Sequence, residues 1–151
     1  MKLFQINKSA RPRVVVVGCG PIGAALSGVL SENGFLTTVV DKNPGAFELL
    51  PVSYIGNTLC GDATDGKILK MAEIQSPSVA LVMSASDNAN ILIAQMMRQA
   101  FQNDFRIIAR LNDPKRAGIY ELFDIEAFSA EGFFAKEICR RISALTAGEQ
   151  I

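Results

Sequence analysis

The sequence predicts an α/β protein with a doubly wound, mainly parallel sheet of six strands and helices on both faces. Short apolar runs alternate with helical patterns six times, the connections between them are short, and a glycine-rich turn follows the first run. With 151 residues, 49% of them apolar, the chain can bury the core of one domain. We therefore expect an N-terminal extension or linker over residues 1–12 and a single domain over residues 13–151.

Six strands are predicted, each a run of apolar or β-branched residues bounded by turn residues. The first, residues 13–17, is continuous and too short for a helix, which is typical of a strand buried on both faces of a parallel sheet. The second, residues 36–40, ends at Asp41, and the third, residues 52–55, is the weakest run. The remaining strands are expected over residues 79–83, 105–109 and 125–128.

Helices are predicted between these strands from apolar spacing and from capping residues. The first covers residues 21–33, where Asn33 and the glycine after it favour a left-handed stop. Asn43-Pro44 and Asp113-Pro114 each begin a short helix with a cap followed by proline. The other helices follow the turn at residues 61–65, begin at Ser86 or Asp87, and carry Ala135, Ile138, Ile142 and Leu145 on one side before a stop at Gly148.

The composition excludes several classes of function. The chain contains no histidine, which excludes a Ser-His-Asp or Cys-His nucleophile pair, an imidazole proton shuttle and the common His-containing zinc sites. We therefore expect neither catalytic nor metal-binding residues. The 15 basic side chains balance the 15 acidic ones, and this zero net charge disfavours nucleic acid and anionic lipid as partners.

Neither export nor a membrane span is expected. In the uncharged stretch at residues 14–31, several glycines and a proline bunch into a turn instead of spacing along a helix. The apolar run before Cys19 is shorter than a signal sequence requires. The three cysteines lie far apart in the chain, which argues against a disulfide framework and favours a reducing, cytoplasmic location.

A GxGxxG motif stands immediately after the first strand and at the start of the first helix, where such a motif binds phosphate. Gly18 permits the tight turn, Gly20 leaves room for a pyrophosphate against the backbone, and Gly23 lets the helix pack closely on the strand. Backbone N–H groups at the helix N-terminus then face the phosphates. The predicted phosphate-binding residues are Gly18, Cys19, Gly20, Pro21, Ile22 and Gly23.

Asp41 ends the second strand, where a carboxylate accepts hydrogen bonds from the ribose hydroxyls of an adenosine. Its charge repels a 2′-phosphate, which favours NAD(H) or an adenine nucleotide over NADP(H). Lys42 stands beside it and partly offsets that repulsion if it folds over the ribose. The alternative for Asp41 is a simple cap near a helix.

Beyond the glycine turn, the chain resembles the TrkA-N family, also called the N-terminal RCK or KTN domain. The resemblance rests on the turn at residues 61–65, on the polar segment at residues 84–90, on residues 108–110 and on Asp113-Pro114. It extends to the late helix and so covers nearly residues 13 to 145. Such domains are Rossmann units that bind NAD(H), ATP or ADP, pair into dimers or larger rings, and regulate potassium channels, transporters or antiporters. They are not usually catalysts.

The resemblance also implies further nucleotide-binding residues. The turn after the third strand lies against adenine in the family, and the late strand ends and the last helix approach the nucleotide's phosphates or the neighbouring subunit. A helix-capping aspartate, an exposed strand-end arginine and an acid at a helix N-terminus are the plainer alternatives for three of these positions. The positions are Asp62, Ala63, Ser84, Arg110 and Glu131.

Two departures from the family's pattern bear on the ligand. Pro21 replaces a residue that is often basic or apolar where a triphosphate is bound, and the usual proline before Glu131 is absent. The first departure favours NAD(H) or an AMP-like ligand over ATP, with ADP also possible. The chain ends after the last helix, where the family usually continues into a ligand-sensing domain. We therefore expect either a stand-alone subunit or a piece of a larger protein.

Three functions are open at this point. The first is a regulatory nucleotide-binding domain that is cytoplasmic and is held at the membrane by its protein partner. In such a domain, a dimer surface or the core would contain Met96, Met97 and Phe101. The second is an NAD-dependent oxidoreductase or a fragment of one, but neither Tyr54 nor Tyr120 has the lysine four residues later that short-chain dehydrogenases use. The third is a redox-sensing or interaction module that responds through Cys19 at a helix N-terminus.

Overall fold

The computed structural model describes residues 11–72, 78–101 and 105–147. Six parallel strands form one sheet: β1 (Arg13–Val17), β2 (Leu36–Asp41), β3 (Asn57–Cys60), β4 (Ser78–Val82), β5 (Arg106–Arg110) and β6 (Glu126–Phe128). Their order is β3-β2-β1-β4-β5-β6. The chain therefore reverses its direction of travel across the sheet between β1 and β4, and the predicted doubly wound fold is confirmed.

Five helices connect or follow the strands in the described part of the chain: α1 (Pro21–Glu32), α2 (Gly66–Met71), α3 (Asp87–Ala100), α4 (Ala117–Leu122) and α5 (Ala130–Ala147). Two short 3₁₀ helices begin at the prolines that follow Asn43 and Asp113, and both of these residues accept a backbone N–H as predicted. Ser86, and not Asp87, caps α3.

The core consists of two layers, one on each face of the sheet. On one face, α1 and the first 3₁₀ helix cover a layer that includes Val14, Val16 and Val39. On the other face, α2, α3 and α4 cover a layer that includes Val15 and Val17. Successive residues of β1 thus enter opposite layers, which is why the first strand is a continuous apolar run.

The predicted third strand was placed too early in the chain. The strand is Asn57–Cys60, whereas Val52 and Ile55 lie in the preceding turn with exposures of 104% and 84%. The Tyr54 hydroxyl closes this turn by donating to the carbonyl oxygen of Asn57 at 2.6 Å, and it lies 3.3 Å from that of Thr37. β3 lies at the edge of the sheet, and of its four side chains Leu59 alone is partly buried against the core, so the segment has little apolar pattern.

Helix α5 has the predicted amphipathic pattern, but its apolar stripe is not buried. Phe134, Ile138, Ile142 and Leu145 lie at helical spacing along one side and are 67%, 40%, 57% and 67% exposed. Met97 of α3, by contrast, is fully buried in the core, so it is not available for a dimer surface. The predicted stop at Gly148 lies outside the described residues. Among the described helices, none combines the length and the apolarity needed to cross a membrane.

Candidate functional site

The glycine-rich turn joins β1 to α1 at the carboxyl edge of the sheet. Gly18 has φ +98°, a left-handed conformation that only glycine adopts without strain, and its N–H donates to the carbonyl oxygen of Val40 at 2.9 Å. A Cβ on Gly23 would lie 1.9 Å from the Gly18 carbonyl oxygen. The helix therefore approaches the turn as closely as backbone atoms allow, as predicted for this motif.

The N-terminus of α1 is open toward this edge. Gly20 is the N-cap and has no side chain to satisfy the first N–H groups, and nothing lies within 4 Å of where its Cβ would be. The first N–H groups of a helix have no partner within the helix. Together with the helix dipole they form a site of positive potential that suits an anion such as a pyrophosphate.

The Asp41 carboxylate joins the end of β2 to the glycine turn. It accepts hydrogen bonds from the backbone N–H groups of Cys19 and Asn43, at 2.7 and 2.8 Å. Asp41 therefore organises the turn in addition to its predicted role toward a ribose, and the sequence did not indicate this. Two backbone donors leave further lone pairs on the carboxylate for a ligand's hydroxyls.

The Cys19 thiol faces an environment that opposes ionisation. Its side chain is fully buried, and burial together with the neighbouring Asp41 carboxylate raises its pKa. A redox-sensing cysteine requires a stabilised, accessible thiolate. The surroundings of Cys19 thus disfavour the redox-sensing interpretation.

The turn after β3 brings Asp62 to the same edge, with Ala63 buried beneath it. Asp62 accepts hydrogen bonds from the backbone N–H and the hydroxyl of Thr64, at 2.9 and 2.7 Å, and these bonds lower its pKa, with a smaller contribution from Lys42. Asp65, not Asp62, caps α2. Asp62 therefore keeps its own turn in shape and carries an ionised carboxylate in solvent.

On the other side of the glycine turn, Asn90 of α3 connects the carboxyl ends of β4 and β5. Its Oδ1 accepts from the Ser84 N–H and the Ser84 hydroxyl, at 3.1 and 2.6 Å. Its Nδ2 donates to the carbonyl oxygens of Ser84 and Arg110, at 3.0 and 2.9 Å. Asn90 is completely buried. The sequence placed it in the polar segment at residues 84–90 but did not predict its bonds, because its partners meet only when the two strands lie side by side.

The buried carboxylate of Asp87 binds the chain that follows β5. Asp87 accepts hydrogen bonds from the backbone N–H groups of Asn112 and Asp113, from the Asn112 side chain and from the Tyr120 hydroxyl. The same hydroxyl lies 2.8 Å from the carbonyl oxygen of Arg110. Burial of the Asp87 carboxyl opposes its ionisation, but the hydrogen bonds that it accepts outweigh burial and lower its pKa.

Arg110 and Glu131 are paired with each other. The Arg110 Nη2 lies 2.9 Å from the Glu131 Oε1, which joins the end of β5 to the first turn of α5. A backbone hydrogen bond at Glu131 and the Arg110 guanidinium lower the pKa of Glu131. The Arg110 Nε is buried and has no hydrogen-bond partner in the part of the chain that the structure describes.

The predicted site residues thus lie along one edge of the sheet, on both sides of the glycine turn. On one side of the turn, β2 ends at Asp41, Lys42 comes next, and Asp62 follows β3. On the other side, Ser84 follows β4 and β5 ends at Arg110. No group of metal-ligating side chains occurs among the described residues. The edge offers backbone donors at its centre and carboxylates at either side, which is suited to a molecule with central phosphates and flanking sugars.

Comparison with known proteins identifies a family model and relatives that match most of this chain. Residues 14–129 match the TrkA-N domain. A Trk system potassium uptake protein TrkA from Streptomyces coelicolor is 31% identical over 129 residues, which cover 85% of this chain and 57% of that protein. The chain therefore spans little more than half of that relative's length.

Solved structures with lower identity share the fold. The NAD(P)-binding domain of an exopolyphosphatase-related protein from Archaeoglobus fulgidus superimposes with a TM-score of 0.75 at 22% identity, covering 88% of this chain and 98% of that one. The GsuK channel bound to NAD gives a TM-score of 0.65 at 19% identity, covering 83% of this chain and 22% of the channel. GsuK has also been solved bound to ADP, again with a TM-score of 0.65.

Proposed function

Because this chain belongs to the TrkA-N domain family, we propose that it is a regulatory nucleotide-binding domain for a potassium transport protein. The observation that carries the proposal is the open α1 N-terminus beside Asp41, at the position where the sheet reverses direction. The name of the Streptomyces coelicolor relative supports the link to potassium uptake. A cytoplasmic location, with attachment to the membrane through a protein partner, follows from this role.

NAD(H) is the proposed ligand, with AMP, ADP and ATP as the alternatives. The phosphates would lie against Gly18, Gly20 and the N–H groups of α1, and the adenosine ribose against Asp41. The turn at Asp62 and Ala63 would border the adenine. The NAD-bound and ADP-bound GsuK structures support both kinds of ligand for this fold.

We expect the replacement Asp41→Ala to weaken binding of NAD⁺ and ADP by about 10- to 100-fold, because charge-assisted hydrogen bonds to the ribose hydroxyls are lost. Isothermal titration calorimetry of the full chain measures this. Glu48→Ala removes an exposed carboxylate in the first 3₁₀ helix and is the matched control. If the wild-type chain binds no nucleotide, or if Asp41→Ala binds as tightly as the control, the proposed site is wrong.

Regulation would operate by a shift between two arrangements of the domain and its partners. A ligand drives such a shift only if it binds one arrangement more tightly than the other. The Arg110–Glu131 ion pair supports this mechanism, because it connects the nucleotide edge directly to α5. A ligand that draws Arg110 away from Glu131 would change the position of the helix.

The alternative, an NAD-dependent oxidoreductase, lacks support at this edge. Hydride transfer to a carbonyl needs a proton donor beside the substrate, and the reverse transfer from an alcohol needs a proton acceptor there. The chain has no histidine, and the buried Tyr120 hydroxyl is bonded to Asp87 and Arg110. Turnover of NAD(H) with an alcohol or carbonyl substrate would establish the alternative and refute a purely regulatory role.

A homodimer is proposed through the exposed apolar stripe of α5. Helices in water gain most of their stability by burying an amphipathic face, and the 18-residue α5 leaves Phe134, Ile142 and Leu145 mostly exposed. Phe128 and Phe133 lie beside the start of this helix, with ring centroids 5.6 Å apart, and extend the apolar surface. In a symmetric dimer, the apolar stripe of each copy would cover the stripe of the other.

The double variant Phe134→Glu/Ile142→Glu should convert the dimer to a monomer at micromolar concentration, since it places two charges within the apolar stripe. Sedimentation velocity of the full chain reports the change. Lys136→Glu alters an exposed charge on the same helix and should leave the dimer intact. A wild-type chain that is monomeric, or a dimer that survives the double variant, would refute this interface.

A further inference from the structure

The hydrogen-bonding direction at Ser84 is fixed by its neighbour Asn90. One end of the Asn90 amide faces the carbonyl oxygens of Ser84 and Arg110, at 3.0 and 2.9 Å, and only an NH₂ group can bond to two carbonyls. The other end, which faces the Ser84 backbone N–H at 3.1 Å, is therefore the oxygen. The orientation of the amide follows from these partners.

The Ser84 hydroxyl must then act as a donor toward the protein. Its Oγ lies 2.6 Å from the Asn90 Oδ1, an oxygen with no proton, so the single Ser84 proton occupies this bond. The only other acceptor within reach among the described residues is the carbonyl oxygen of Ser86, at 3.3 Å. In either orientation the proton is used within the protein. The Ser86 backbone N–H donates to the same oxygen at 3.3 Å, so the Ser84 hydroxyl offers a ligand one lone pair and no proton.

Ser84 also stands directly beside the glycine turn. A Cβ on Gly18 would lie 3.1 Å from both the Met83 carbonyl carbon and the Ser84 nitrogen, and the Met83 N–H donates to the carbonyl oxygen of Val17. Ser84 is half-buried and lies on the β4 side of the turn, opposite Asp41. If an adenosine occupies the Asp41 side, the part of the ligand beyond the phosphates would lie on the Ser84 side of the turn.

We propose that Ser84 is a specificity-determining acceptor that selects a hydrogen-bond donor on the far side of the phosphates and disfavours a third phosphate there. A second ribose hydroxyl or a carboxamide NH₂ supplies such a donor. A γ-phosphate at neutral pH presents almost only lone pairs, and it would face the lone pair of the Ser84 oxygen. The inference rests on the proposed nucleotide site and sharpens it: this edge favours a dinucleotide over a nucleoside triphosphate.

Calorimetry of the full chain with NAD⁺, ADP-ribose, ADP and ATP tests the inference. Ser84→Ala should raise the ratio of the NAD⁺ dissociation constant to the ADP dissociation constant about tenfold, the effect of one lost hydrogen bond. The ATP to ADP ratio should not rise. Ser84→Thr retains the hydroxyl and should retain the wild-type ratios, and Ser53→Ala, in the exposed turn before β3, is the matched control.

The ligands distinguish the two sources of the donor. If ADP-ribose is weakened as much as NAD⁺, the donor is a sugar hydroxyl, and if only NAD⁺ is weakened, the donor is the carboxamide. Unchanged ratios in Ser84→Ala, or a loss that is largest for ATP, would overturn the inference while leaving the nucleotide site in place. A wild-type chain that binds none of the four ligands would refute the proposed function itself. Should Ser84→Ala not fold, NAD⁺ analogues that lack the second ribose's hydroxyls or the carboxamide give the same comparison with the wild-type chain: weaker binding of either supports the inference, and equal binding of both overturns it.

Discussion

Gly23→Ala is expected to destabilise the folded chain by about 3 kcal/mol or more, since overpacking against a fixed neighbour is among the costliest single changes. The added methyl would lie 1.9 Å from the Gly18 carbonyl oxygen and 3.0 Å from its carbon. Both are backbone atoms of a turn held between β1 and β2, so neither can rotate aside as a side chain would. The free energy of unfolding in urea, followed by circular dichroism, measures the loss.

Two other glycines separate this packing effect from the general effect of adding a methyl. Nothing lies within 4 Å of a Cβ at Gly118 in α4, so Gly118→Ala should be neutral or stabilise the chain by about 0.5–1 kcal/mol. Gly20 is equally open, so Gly20→Ala should fold normally while its methyl intrudes on the phosphate position and weakens NAD⁺ binding. Equal stability of the Gly23 and Gly118 variants would disprove the close approach of α1.

The second large effect is expected at Asp87. Asp87→Ala should cost about 3 kcal/mol at pH 7, because it leaves the backbone N–H groups of Asn112 and Asp113 without their buried acceptor. Asp65→Asn is the matched control, since asparagine caps a helix as well as aspartate does. A loss at Asp87 no larger than that of the control would contradict the network.

The contribution of Asp87 should also depend on pH with a definite sign. The folded protein lowers the pKa of this carboxyl below its ordinary value of 3.8. Its ionisation therefore stabilises the fold fully above the unfolded pKa, and this stabilisation is lost as the pH falls through the folded pKa. The stability gap between the wild-type chain and Asp87→Asn should be largest near neutral pH and shrink in acid. A gap that widens in acid would reverse the assignment.

Features that depend on residues close together in the chain could be predicted from the sequence. The continuous run of β1 identified a central parallel strand, and the spacing of Gly18, Gly20 and Gly23 identified the turn and its close packing. The caps at Asn43 and Asp113 were also predicted, because a side chain there bonds to a backbone group two residues later. In each case the physical cause acts within a few residues.

Features that depend on partners distant in the chain could not be predicted. The hydrogen bond from the Cys19 N–H to Asp41 spans 22 residues, and that from Tyr120 to Asp87 spans 33. Such contacts exist only after the strands have been placed in order. Strand β3 was missed for a related reason: its pairing with β2 at the sheet edge forms through backbone bonds and leaves little apolar pattern. The ligand contacts assigned to the edge residues remain predictions.

The four hydrogen bonds of Asn90 restrict which residue types can replace it without loss of stability. Aspartate would turn two donors into acceptors facing the Ser84 and Arg110 carbonyl oxygens, glutamine would be too long, and leucine would remove the acceptor of the Ser84 N–H and the donor to the Ser84 carbonyl oxygen. Two of the three bonds between Ser84 and Asn90 use the Ser84 backbone, and only one uses its hydroxyl. A substitution at position 84 therefore retains two of the three bonds. We therefore expect a substitution at position 84 to change the proposed ligand preference while the fold persists, and a substitution at position 90 to break bonds at the ends of both β4 and β5.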